Sequence, residues 1–156
     1  MAKKIRLEPS AGQVNAIIGI ATQLRDYRLV HFINQFLEID LANVDDLPVI
    51  NTKSESFSFH SLYLFHHPDL RTDFCLVSNT DGTSTLIPSL KQINYFLLLQ
   101  GAAYKQHVDS MIANIRKIQG VQAVIAINQA SIKEIGPILN DIELHILDLK
   151  HKEKES

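Results

Sequence analysis

Seven histidines, one cysteine and the serines are among the side chains of this 156-residue chain with the chemistry to bind metal or attack a substrate. The densest group is His60, His66, His67 and Asp69, nitrogen and carboxylate donors of the kind a divalent metal takes. The spacing argues against an ion. On a strand, His60 and His66 share a face but stand about 20 Å apart at about 3.3 Å per residue, while the neighbours His66 and His67 point to opposite faces. Cys75 lies in the apolar run "FCLVSN" and reads as a small core residue with an inert thiol. Ser78, Ser84 and Ser89 lack a G-x-S-x-G elbow, and neither a P-loop, a G-x-G-x-x-G nor an H-E-x-x-H occurs. No catalytic residue, metal or cofactor is predicted, and an enzyme is the less favoured class.

Three further groups bear on binding. Tyr27, His31 and Asn34 form a hydrogen-bonding stripe at helical spacing, either one wall of a polar pocket or the solvated shoulder of a surface helix, and the shoulder is the preferred reading. Ser89, Asn94 and Tyr95 lie in "LIPSLKQINYFLLLQG", where a proline and polar side chains precede an apolar run. A pocket between the 88–95 segment and a helix over 25–37 would join the two groups. Phe57, Phe59, Tyr63 and Phe65 share one parity of a strand, so they line either a core face or a homodimer interface. As a stacking platform for single-stranded nucleic acid the strand lacks interleaved Lys or Arg.

The elements that must position these residues follow from periodicity. Ile5 and Leu7 alternate with Arg6 and Glu8, a short strand stopping before Pro9; Val14 to Ile20 is a buried strand. From Gln23, Leu29, Phe32, Ile33 and Phe36 recur at i, i+3, i+4 and i+7, an amphipathic helix with Thr22 as its N-cap. "LEIDLANVDDLPV" predicts an irregular connection with a short edge strand, 57–65 and "DFCLVSN" predict strands, and Asp81-Gly82 a hairpin turn into a short strand at "STLI". Tyr95 to Gln100 is a strand, Val108, Met111, Ile112 and Ile115 mark a helix ended by Gly120, and "VQAVIAI" is an interior strand parallel to the one before the helix. These three make a βαβ unit. "SIKEIGPILNDI" predicts a weak helix broken at Gly136-Pro137, and "IELHILDL" a final strand.

The expected fold is a single α/β to α+β domain over residues 1–149, with a mixed β-sheet and two or three packed helices, followed by a charged, disordered tail over 150–156. That length buries a core of its own without metal or disulfide. A net charge of −2 weighs against nucleic acid as the main partner, the single cysteine points to a reducing compartment, and no secretory signal or membrane-length apolar segment is legible. The expected location is the cytoplasm.

The segment Ile87 to Tyr95, "IPSLKQINY", resembles the signature that names the IPExxxVDY family of small bacterial proteins. Ile87, Pro88 and Tyr95 match, Ile93 stands for valine, and Ser89 and Asn94 replace the signature glutamate and aspartate. The resemblance extends to "IIGIATQLRDYRLVHFINQFL" and covers Val14 to about Ile127. It implies a strand over Val14 to Ile20 and draws attention to Asp26, Tyr27, Leu29 and Asn34; the family carries no assigned activity. Ser89 and Asn94 cannot hold the charge of a carboxylate pair, but they can serve as caps and turn residues. Taken together, the sequence predicts a cytoplasmic interaction or small-ligand module that forms a homodimer, with no membrane partner; the alternative is an enzyme or small-molecule-binding protein using the 88–95 pocket.

Overall fold

The computed structural model describes residues 14, 16–51, 55–101 and 105–155; the strand expected at Ile5 to Glu8 lies outside them. In chain order the elements are β1 (Ala16–Thr22), α1 (Asp26–Leu37), β2 (Ala42–Asn51), β3 (Ser56–His67), β4 (Thr72–Ser78), β5 (Tyr95–Gly101), α2 (Lys105–Arg116), β6 (Val121–Ala126) and α3 (Ile135–Glu155). The strands form one six-stranded sheet in the order β2-β3-β4-β5-β1-β6, with every neighbouring pair antiparallel. The chain is thus an α+β fold with three helices, within the class expected. β5 and β6 both run opposite to β1 and so parallel to each other, but β1 lies between them. The βαβ unit is therefore split, and β6 is an edge strand with Ile125 41% exposed.

Both faces of the central strands are covered, which is why they read as unbroken apolar runs. Ile18, Ile20, Phe74, Leu76, Leu97 and Leu99 pack beneath α1 and α2 with Leu29, Ile33, Met111, Ile112 and Ile115. The alternate residues Ile17, Cys75, Val77, Phe96 and Leu98 form a second core with Leu86, Ile87, Ile93 and, from α3, Ile142. No helix among the described residues is long and apolar enough to cross a membrane.

Several local expectations are corrected. α1 begins at Asp26, with Arg25 at the N-cap and no side-chain cap; Thr22 instead ends β1, its hydroxyl donating to Gly120 O and accepting from Leu24 N. The stretch containing Asp45, Asp46 and Pro48 is a full edge strand, because a bulge between Val44 and Leu47 absorbs the irregularity and an edge tolerates proline. "STLI" supplies only an isolated bridge, Thr80 to Thr85. The largest correction is α3: "IELHILDL" is helical, because Gly136 and Pro137 fall in the first turn, where proline is tolerated, and leave the helix intact. α3 continues to Glu155, into the stretch read as a tail, with Lys152 Nζ 3.6 Å from Asp148 Oδ2.

The polar stretch of "LIPSLKQINYFLLLQG" is a bend organised by Asn79, which is fully buried. Its Nδ2 donates to Leu90 O at 3.0 Å and Ile93 O at 2.8 Å, and its Oδ1 accepts from Ile87 N at 2.8 Å. The backbone of Asn94 closes the bend, accepting from Asn79 N and donating to Ile20 O. Asn79→Ala strands three backbone groups at once, two of them buried and that of Leu90 part-buried, and is expected to cost about 3 kcal/mol, lowering the thermal midpoint by about 6–12 °C in a chain of this size. A shift below about 2 °C would mean that apolar contacts alone hold the segment.

Candidate functional site

The α3 face of the sheet carries two ordered rows of side chains. Leu64, Cys75 and Leu98 are register neighbours across β3, β4 and β5, and two residues further along the same strands come His66, Asp73 and Gln100. Side chains two apart on a strand share a face, so an apolar row and a hydrogen-bonding row lie about 7 Å apart on one floor. α3 crosses above. At its start Glu134 accepts from Ser89, and further along His145 Nε2 donates to Asp45 O at 2.9 Å. Among the described side chains of α3 only Ile142 is fully buried, with Ile135, Ile138, Leu139 and Ile146 partly so.

Between that helix and the floor lies a groove of about 570 Å³, within the range of about 300–1,000 Å³ typical of small-molecule sites. Leu139, Ile142, Ile146 and Leu147 form its wall, Val14 lies at its margin, and Glu143 and Lys150 reach it from α3. At the polar row His66 Nδ1 is 2.8 Å from Asp73 Oδ1, which turns Nε2 away from the pair. Beyond Gln100, Gly101 has φ 141° and an added Cβ would collide with the Arg71 carbonyl oxygen, so this end of the floor requires glycine. Burial raises the Cys75 thiol to about 12, so it lines the groove as a thiol and not as a nucleophile. Among the described residues no three His, Cys, Asp or Glu side chains converge to hold a metal ion.

A second polar cluster has the polarity of a nucleophile and its base. His60 Nδ1 donates to Ser78 O at 2.9 Å, which leaves Nε2 of the neutral ring to accept from the Ser58 hydroxyl, also at 2.9 Å. His60 is 0% exposed and Ser58 4% exposed, so the pair is a sealed structural link. Burial lowers the His60 pKa, opposed by the Ser78 hydrogen bond and the charges of Asp81 and Asp46.

The residues proposed from sequence are distributed as follows. Tyr27 is 62% exposed. His31 is exposed and meets Phe32 edge-on at 5.3 Å. Asn34 ties the end of α1 to Leu41 through both its amide atoms. Ser89 lies on the α3 side. Asn94 Oδ1 accepts from Thr22 N, and the Tyr95 hydroxyl donates to Leu24 O at 2.9 Å, so these two come beside the start of α1. Burial, with the charge of Asp26, raises Tyr95 to about 12. Of the aromatic strand face, Phe57 and Phe59 are exposed at 63% and 55%, whereas Tyr63 is buried and Phe65 packs against the core. The Tyr63 hydroxyl donates to Asp26 Oδ2 at 3.0 Å.

The groove residues escape the sequence reading because α3 is needed to form the groove and reads as a strand. Their one legible signal is an apolar residue with a polar one two positions away: Leu64 and His66, Cys75 and Asp73, Leu98 and Gln100. No protein-family model matches the chain, and no curated protein matches it.

His60 generates a pH prediction. Its folded-state pKa is depressed, so below the unfolded value of about 6.5 the unfolded chain binds more protons and stability falls as pH drops, by at most about 1.4 kcal/mol per pH unit for this one group. Urea denaturation between pH 8 and 5 is expected to show this fall in the native chain and a shallower one in His60→Gln. Equal slopes would mean that His60 titrates alike in both states.

Proposed function

We propose that this protein is a cytoplasmic small-ligand-binding module whose site is the groove beneath α3. The observation that supports this most is the graded floor: an apolar row and a hydrogen-bonding row side by side, under a helix of whose described side chains only Ile142 is fully buried. An apolar body on Leu64, Cys75 and Leu98 with a polar end at His66, Asp73 and Gln100 satisfies both rows. Sites of this kind are mostly apolar with a few placed polar groups. The free, buried thiol of Cys75 fits a reducing compartment. We also propose that the chain is a divergent member of the IPExxxVDY family; the bend over Ile87 to Tyr95, anchored by buried Ile87, Ile93 and Tyr95, gives its signature positions a structural use without a carboxylate pair.

A second reading, self-association, is supported by a different patch. Ile50 faces Phe57 and Pro48 faces Phe59 across β2 and β3, and all four are exposed. Exposed apolar clusters are typical association surfaces.

An uncharged fluorescent dye tests the groove reading. Leu147→Glu places a carboxylate on the wall at a residue that is 52% exposed, so the fold should tolerate it; dye affinity should fall about tenfold, or about 1.4 kcal/mol. Phe57→Ser with Phe59→Ser should leave it unchanged. Dye binding that survives the first change and disappears with the second would overturn the reading. Light scattering on the Phe57→Ser, Phe59→Ser chain tests self-association: the unmodified protein should be a dimer at high micromolar concentration and the variant a monomer, while an unmodified monomer would end this second reading.

A further inference from the structure

We infer that the polar end of the ligand is a carboxylate and that the ligand is a single-chain amphipathic acid whose head meets Lys150; this rests on the groove being the binding site. Four charged or chargeable side chains line the groove: His66, Asp73, Glu143 and Lys150. They do not simply cancel. Asp73 is engaged by His66 at 2.8 Å, so one of the two carboxylates is already partnered. Lys150 makes no ion pair among the described residues, although Lys105 and Lys152 each pair four residues away along their helices.

Glu143 and Lys150 are seven residues apart on α3, about 10 Å along its axis and near the same face. The groove therefore has an acidic position and a basic position two turns apart. An anionic head is attracted to the Lys150 position and repelled from the Glu143 position, so charge sets the ligand's direction as well as its class. His66 Nε2 and the Gln100 amide add hydrogen-bonding capacity, and the amide can donate to a carboxylate oxygen. A head bearing an ammonium would face the unpartnered cation of Lys150. The apolar row and the α3 wall, Leu139, Ile142 and Ile146, require a hydrocarbon tail in every case. Lys150 is exposed, so the preference should be only a few-fold and should weaken with salt.

Calorimetric titration of the full chain with decanoate, decanol and decylammonium, all at one pH, low salt and concentrations below self-assembly, tests this. Decanoate should bind roughly three- to fivefold more tightly than decanol, and decylammonium more weakly than either. Lys150→Gln should erase the advantage of decanoate without changing decanol, and Lys150→Arg should restore it. Because the site is exposed and helical, neither change should move the thermal midpoint. Equal binding of decanoate and decanol, tighter decylammonium binding, or a decanoate preference that survives Lys150→Gln would overturn the carboxylate inference while leaving the groove reading intact. Failure of all three compounds to bind would overturn both.

Discussion

The constraint on which the rest of this structure depends is that a sheet with two apolar faces is covered unequally. β4 and β5 must be buried on both sides, since Phe74 and Leu76 alternate with Cys75 and Val77, and Leu97 and Leu99 with Phe96 and Leu98. Two helices cover one face. The other is shared between the bent segment 86–93 and α3, and among the described residues of α3 only Ile142 is fully buried. The segment seals the end nearest Ser78 and Tyr95, leaving α3 to roof the opposite end alone. The groove is the volume that one helix with one deep anchor leaves uncovered, and Cys75, the smallest side chain of its row, enlarges it from below.

Polar groups inside the fold divide by whether they are satisfied. Asn79 uses its whole amide on the bend, and His60 has a partner at each ring nitrogen. Such groups specify a conformation, and they have no capacity left for a ligand. The groove differs: Gln100 and Lys150 reach it without a protein partner among the described residues, and His66 has committed only one of its nitrogens. This difference separates the groove from the Ser58–His60 pair, whose chemistry would otherwise be the more reactive.

Much of the fold was legible because local periodicity and burial agree along it. The strand over 95–100 and the stripe of α2 pack as their patterns require, α1 buries Leu29 and Ile33 of its stripe, and the strand over 57–65 forms with Tyr63 buried while Phe57 and Phe59 stay exposed. Reading stopped where tertiary context decides. "VQAVIAI" has the composition of an interior strand, but β1 takes the position between it and β5. "IELHILDL" alternates apolar and polar residues like a strand, yet Ile142 and Ile146 are equally an i, i+4 pair, and a continuous helix from Ile135 settles which period holds. The candidate site was the least legible part. Tyr27, His31 and Asn34 share a helix face, but Ser89 lies across the sheet from them, and a single sequence contains no register from which to learn that His66, Asp73 and Gln100 stand in line. Phe57 and Phe59 were identified as interface candidates together with Tyr63 and Phe65, although only the first two extend beyond the cover of the helices.

The central claim is that ligand enters between α3 and the rows Leu64, Cys75, Leu98 and His66, Asp73, Gln100. Its most direct test is a titration of the isotopically labelled protein with decanoate, followed by backbone amide chemical shifts. The account predicts shifts concentrated at residues 64–66, 73–75, 98–100 and 139–150, with residues 57–59 and 27–34 unmoved. Shifts centred on Phe57 and Phe59, or on α1, with the groove unmoved, would contradict it.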